Sequence, residues 1–182
     1  MQDTTSTDLL YNRSMKVVRL FPVLLFICLF IALYFRLQLG LVRYFDADEF
    51  AHLHWGYSFS IGELPYKDFF YLFPPFYLVP IASLFTLFGR TVEVLIAARV
   101  FSFIVFAAAT FILIFLVKVE RCWRVALFTA CVFALLPMPY DKMLEVRPDL
   151  LSMGFMLAAL YFFILSDLSE KKRFIFYSGF LA

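Results

Sequence analysis

The chain has 182 residues, of which 64% are apolar and 21% aromatic, and its mean hydropathy is +0.88. Soluble domains carry about 45–50% apolar residues, so a water-soluble fold of this size is excluded for want of an interior to hide the surplus. The 16 basic and 14 acidic residues leave a formal charge of +2; no basic run suits a nucleic-acid face, and nucleic acid is excluded as a partner.

Residues 1–16 are polar and read as a cytoplasmic N-terminal tail, disordered or interfacial. Arg13, Lys16 and Arg19 precede the apolar run 20–35, which with its flanks (17–39) is long enough to cross a hydrocarbon core of about 30 Å. The run is too long for a signal-peptide core and no small-residue cleavage site follows it, so it is expected to be retained. Arg36 is expected to snorkel to the interface. Residues 40–75 are the most polar part of the chain, and Trp55, Tyr57, Tyr66 and Tyr71 suit a membrane interface. Within it, 46–60 lacks proline and predicts a helix with Asp46 as cap, ended by Gly62 and Pro65. The run 76–88 is short and contains Pro80, which marks an interfacial or re-entrant segment. Spans are expected at 100–117, 125–139 and 150–166, and 174–182 opens a further apolar helix. The chain stops inside that helix, and so reads as the N-terminal portion (17–182) of a longer, truncated transmembrane domain. Cys28, Cys122 and Cys131 show no metal-ligand spacing and read as free thiols.

Cytoplasmic loops favour Lys and Arg. Placing Arg13/Lys16/Arg19, Lys118/Arg121/Arg124 and Lys171/Lys172/Arg173 on the inner side requires an even number of crossings between clusters, and so requires that 76–88 does not cross. The loop 40–99 and the segment 140–149 then share the outer face. The expected fold is all-α: a polytopic transmembrane helix bundle with an external loop containing juxtamembrane helices.

Two groups of residues could carry chemistry on that face. On a helix, Asp48 and His52 are i, i+4 neighbours with Glu49 beside them. The carboxylates could serve a general base, and Asp48 with His52 could hold a divalent cation; the same pattern also describes the solvated face of an interfacial helix. Glu145-Val-Arg147-Pro148-Asp149 opens a later span, where Asp149 suits a helix N-terminus and Arg147 could pair with a phosphate or anchor at the interface. Lys67 lies among head groups or reaches a lipid phosphate.

The run Asp46-Ala-Asp48-Glu49-Phe-Ala-His52-Leu-His54-Trp55, then Gly62-x-x-Pro65-Tyr66-x-Asp68-Phe69-Phe70, then Pro74-Pro75-Phe76, resembles the first external loop of C-type-fold (GT-C) membrane glycosyltransferases. The nearest likeness is to the dolichyl-phosphate-mannose protein mannosyltransferase and aminoarabinose-transferase-like families. Gly89 with Arg99, and Arg147-Pro148-Asp149, continue the pattern, which covers the chain from about residue 15 onward. The resemblance implies hexosyl or pentosyl transfer from a polyprenyl-phosphate donor on the non-cytoplasmic face of a multi-pass protein of the bacterial inner membrane, N-terminus in the cytoplasm. It implies Asp48 as the catalytic carboxylate and Asp149 as a second aspartate that helps arrange the site; Glu49, beside Asp48 on the helix, is a further candidate acid. Some relatives carry Lys or His just before the proline pair; here Leu72 and Phe73 stand there, so phosphate binding is expected from Arg147, Arg99 or Lys67. The expected partners are the lipid-linked sugar and membrane lipids. No cofactor is required by the pattern, a divalent cation being the one candidate. From another class come a transporter, and a membrane assembly subunit with no chemistry; the scarcity of charge within the spans argues against the transporter.

Overall fold

The structure, a computed structural model, describes residues 4–136, 145–169 and 172–182; side chains are described from residue 20 onward, that of Lys172 excepted. The protein is all-α. Helices α1 (Thr4–Val42), α2 (Ala47–Ser60), α3 (Leu78–Phe88), α4 (Val92–Glu120), α5 (Trp123–Leu135), α6 (Pro148–Ser169) and α7 (Lys172–Leu181) follow one another, with a 3-10 turn at Pro75–Tyr77. No strand occurs among the described residues.

Among the described residues, three segments are long and apolar enough to cross a membrane: Leu20–Val42, Val92–Glu120 and Pro148–Ser169. Their outward faces expose Phe26, Phe30, Phe35, Ile104, Phe115 and Phe163, a surface suited to lipid rather than water. Helix α3, 11 residues long, reaches only about 16 Å at 1.5 Å per residue, too short to cross, as its sequence indicates. Where a span is expected at 125–139, the described helix α5 has 13 residues, about 20 Å, and is among the shorter apolar helices rather than the long ones; residues 137–144 lie outside the described part. Helix α1 begins at Thr4, inside the stretch 1–16 read as a tail, and no glycine or proline interrupts the sequence before Pro22. Helix α4 begins at Val92, well before the expected span at 100. The reason is burial: Val94 and Ala98, one turn apart, pack with Leu53, Tyr77, Ile81 and Val146 into one core cluster.

A second, larger cluster joins Leu29 and Leu33 of α1 and Phe106 and Ile114 of α4 to α5. Ala126, Ala130 and Ala134, one per turn of α5, are all buried in it, and small residues in such a stripe let helix backbones approach closely. Arg36 does not snorkel. Its side chain is fully buried, with the guanidinium 3.5 Å from the centre of the Phe106 ring; the contact supplies a cation–π partner in place of water.

The local chemistry of α2 follows its sequence closely. Asp46 caps it: its Oδ1 accepts the Asp48 N–H at 3.3 Å, while the Glu49 carboxylate accepts the Asp46 N–H at 3.1 Å. This reciprocal pair is a capping box. At the other end Gly62 has φ +92°, the Gly62 N–H donates to Phe59 O, and the Glu63 N–H donates to Ser58 O. That is a Schellman closure, in which glycine takes the left-handed position. Gly56 is needed for a different reason. A Cβ there would lie 2.2 Å from Ile81 Cγ2, so the absence of a side chain sets how closely α2 and α3 pack.

Candidate functional site

The centre of the site end of the bundle is an ion pair between Arg99 of α4 and Glu49 of α2. Arg99 Nε donates to Glu49 Oε1 at 3.0 Å and Nη2 donates to Oε2 at 2.6 Å. Nη1 donates to Gly40 O and Arg43 O, both at 2.7 Å, and Nη2 also donates to Tyr44 O at 2.8 Å. These bonds use all five N–H groups of the guanidinium. The carbonyls are those that the C-terminal end of α1 leaves without helical partners, and a cation there complements the negative end of the helix dipole. Glu49 is equally occupied: besides Arg99 it accepts the Asp46 N–H and, at 3.1 Å, the Val146 N–H from the approach to α6. Both side chains are buried, and the Phe45 ring covers the guanidinium at 3.7 Å.

One buried pair therefore ties together α1, α2, α4 and the start of α6. From Arg99 to Glu120, α4 carries the chain about 32 Å away at 1.5 Å per residue, yet Val146 is back against Glu49. The segment containing α5 must return it, so α4 and α6 both start at this end of the bundle. That brings 145–149 beside 43–49, the two regions that the charge distribution also groups together.

Around the pair lies a second, more open set of charges. Arg147 Nη1 lies 3.3 Å from Asp48 Oδ2 and 3.3 Å from Glu145 Oε2, and its Nε lies 3.2 Å from Asp149 Oδ2. Glu145 is buried and is also paired with Arg43 at 3.2 Å. By contrast the Asp48 and Asp149 side chains are 61% and 64% exposed. Arg147 Nη2 makes no hydrogen bond to a described residue.

The sequence candidates thus separate. Asp48, Asp149 and Arg147 are brought together and face outward. Glu49 and Arg99 are together but sealed, so Glu49 has no open oxygen for a general base and Arg99 no open donor for a phosphate; both serve the fold. Arg99 also lies inside α4 rather than in a loop. Lys67 sits exposed on a turn with no ion pair to a described residue, and is not drawn into the Arg147 cluster. That turn is closed by Asp68, whose Oδ2 accepts the Leu64 N–H at 2.8 Å.

His52 is separated from Asp48 by environment. It is 4% exposed, with Trp55, Phe73 and Tyr77 ring centroids at 5.3, 5.3 and 5.9 Å. Among the described residues no group of three or more His, Cys, Asp or Glu side chains is arranged to hold a metal ion. Tyr71, read from the sequence as an interfacial ring, is instead buried, packed on Trp55 at 5.2 Å and Phe73 at 5.8 Å. His52 Nδ1, Tyr71 Oη and Tyr77 Oη are all buried without a hydrogen-bond partner, the polar neighbour of Tyr77 being Ser102. Each such atom costs about 1–3 kcal/mol. Burial, then the charge of Arg147, lowers the His52 pKa, against weaker opposing pulls from Asp48 and Asp149. Burial raises Tyr71 to about 12 and Tyr77 well above its ordinary value.

An apolar groove of about 450 Å³ adjoins the cluster. Pro148, Leu151, Ser152 and Phe155 of α6 form one wall, Pro74, Phe76 and Tyr77 another, and the end of α7 closes it. Its volume is that of a small-molecule site.

Arg43 and Tyr77 were not singled out by the sequence. A basic residue just after an apolar run ordinarily reads as an interface anchor, and nothing local distinguishes Arg43 from one. No family model matches the chain, and no curated protein or solved structure is found similar to it.

Removing one partner of a buried pair typically costs 3–5 kcal/mol, so Arg99→Met and Glu49→Leu should each lower unfolding stability in detergent by about that amount. The double substitution should cost less than the sum of the two; additivity would show that the pair is not coupled. His52 gives a pH dependence. Its folded pKa lies below the 6.5 of the free side chain, so on acidification the unfolded state takes the proton first. Stability should be flat above pH 6.5 and fall below it, and His52→Phe should flatten that fall in parallel denaturation series.

Proposed function

We propose that the protein is a membrane glycosyltransferase that moves a sugar from a polyprenyl-phosphate donor to an acceptor. The observation that carries this reading is the gathering of Asp48 and Asp149, about a hundred residues apart in sequence, around the single guanidinium of Arg147, open to solvent and beside an apolar groove. A lipid-linked sugar presents the matching chemistry: a long apolar chain, an anionic phosphate and a polar head. The likeness of residues 46–76 to the first loop of C-type-fold glycosyltransferases supports the same reading.

In this proposal the acceptor attacks the anomeric carbon directly. A bond forms from the acceptor oxygen or nitrogen to that carbon as the bond from the carbon to the phosphate oxygen breaks, and configuration inverts. Asp48 takes the acceptor proton, and the phosphate leaves with its electron pair toward Arg147, whose Nη2 has a donor to offer. Stabilising that departing charge is the larger electrostatic contribution. Asp149 keeps Arg147 oriented through Nε. Proposed localisation is the bacterial inner membrane, with the site on the non-cytoplasmic face.

The test is Asp48→Asn in membranes supplied with a polyprenyl-phosphate sugar. Losing general-base assistance costs about 10²–10⁴-fold in rate, so transfer should fall by that factor with the melting temperature unchanged. Transfer near the wild-type rate removes Asp48 from the role, and solute uptake by proteoliposomes without any transfer favours a transporter.

A further inference from the structure

Helix α2 and the turn before α3 hold a group that the proposed chemistry does not use. His52, Tyr71 and Tyr77 bury three polar atoms without partners, within a cluster walled by Trp55 and Phe73. Native proteins rarely leave buried polar side chains unsatisfied, and each case calls for an explanation. Three in one ring cluster are costly for folding alone. Tyr77 belongs both to this cluster and to the wall of the apolar groove, so the cluster backs directly onto the groove.

The chemistry of the three atoms selects among ligands. The environment keeps His52 neutral and both tyrosines protonated. Neutral imidazole and phenol groups donate and accept hydrogen bonds but offer no charge to a phosphate. The cation for that is Arg147, outside the cluster. Aromatic walls pack against C–H faces, and uncharged donors and acceptors suit hydroxyls. A sugar ring has both.

We infer that His52, Tyr71 and Tyr77 form the subsite that recognises the hydroxyl groups of the transferred sugar, as specificity residues rather than catalytic ones. The inference rests on the glycosyl-transfer reading and deepens it. The phosphate stays at Arg147, the lipid lies along the groove, and the sugar meets the cluster at Tyr77, the member that lines the groove.

Trp55 and Trp123 are the two tryptophans, so Trp123→Phe leaves Trp55 as a reporter inside the cluster. The full chain in nanodiscs, carrying Trp123→Phe, is titrated with a polyprenyl-phosphate hexose and with bare polyprenyl phosphate. The hexose conjugate should shift Trp55 emission and bind more tightly than the bare lipid. Tyr71→Phe and Tyr77→Phe keep the rings and remove one hydroxyl each. Each should weaken hexose-conjugate binding about five- to tenfold and leave the melting temperature equal or higher, and Tyr71→Phe, outside the groove wall, should leave bare-lipid binding unchanged. Equal binding of the conjugate by wild type and both variants overturns the subsite, and transfer activity retained in the same preparation leaves the enzyme reading standing. A lowered melting temperature in the variants also overturns it, because the hydroxyls would then already have partners. If the wild type binds neither lipid, the subsite falls with the enzyme reading.

Discussion

A buried arginine with every N–H group engaged is the constraint on which the rest of the structure depends. Arg99 satisfies the carbonyls at the end of α1, and Glu49 satisfies amides at the start of α2 and at the approach to α6. In a lipid setting such backbone groups have no water to turn to. One ion pair thus does for three helix ends what separate caps would do in a soluble protein. Charge desolvation makes such a pair a weak source of net stability, but its loss leaves an uncompensated charge. The pair therefore acts chiefly to fix which helix ends meet.

This arrangement divides the charges of the site into two sets. Glu49 and Arg99 are sealed and saturated, and Glu145 with Arg43 extends them outward. Beyond them Arg147 holds Asp48 and Asp149 in contact with solvent. A rigid inner set supporting an accessible outer set is the arrangement expected of a preorganised site, in which open groups gain precision from packed neighbours. Neighbouring acids in the sequence, Asp48 and Glu49, fall on opposite sides of that division because successive residues of a helix point about 100° apart.

Much of this was legible in the sequence. Asp46 with Glu49 three positions on marks the start of α2, and Gly62 marks its end; both are local signals with a local mechanism, and the structure follows them. The meeting of 40–49 with 145–149 was legible from the placement of basic clusters and the shortness of 76–88. What sequence could not give is which charges are buried. Arg36 reads as an interface anchor because its neighbours are apolar, yet its own side chain is buried against α4, where the Phe106 ring receives it. Glu49 reads as a catalytic partner of Asp48, although its capping-box position already assigned it to the backbone. Arg99 reads as a loop residue because the apolar run is densest from 100 onward, while the turns before it are helical through packing against α2 and α3. His52 and Tyr71 look interfacial by composition, and only the folding of the 61–74 loop over α2 buries them.

The most direct test of the account is the sidedness and proximity of Asp48 and Asp149. With the native cysteines replaced, Asp48→Cys and Asp149→Cys, singly and together, are treated in sealed vesicles with a membrane-impermeant thiol reagent and with a short bifunctional cross-linker. The account predicts labelling of both positions from one and the same side, and cross-linking of the double variant that is lost when Glu49→Leu unties the helix ends. Labelling of the two positions from opposite sides contradicts it.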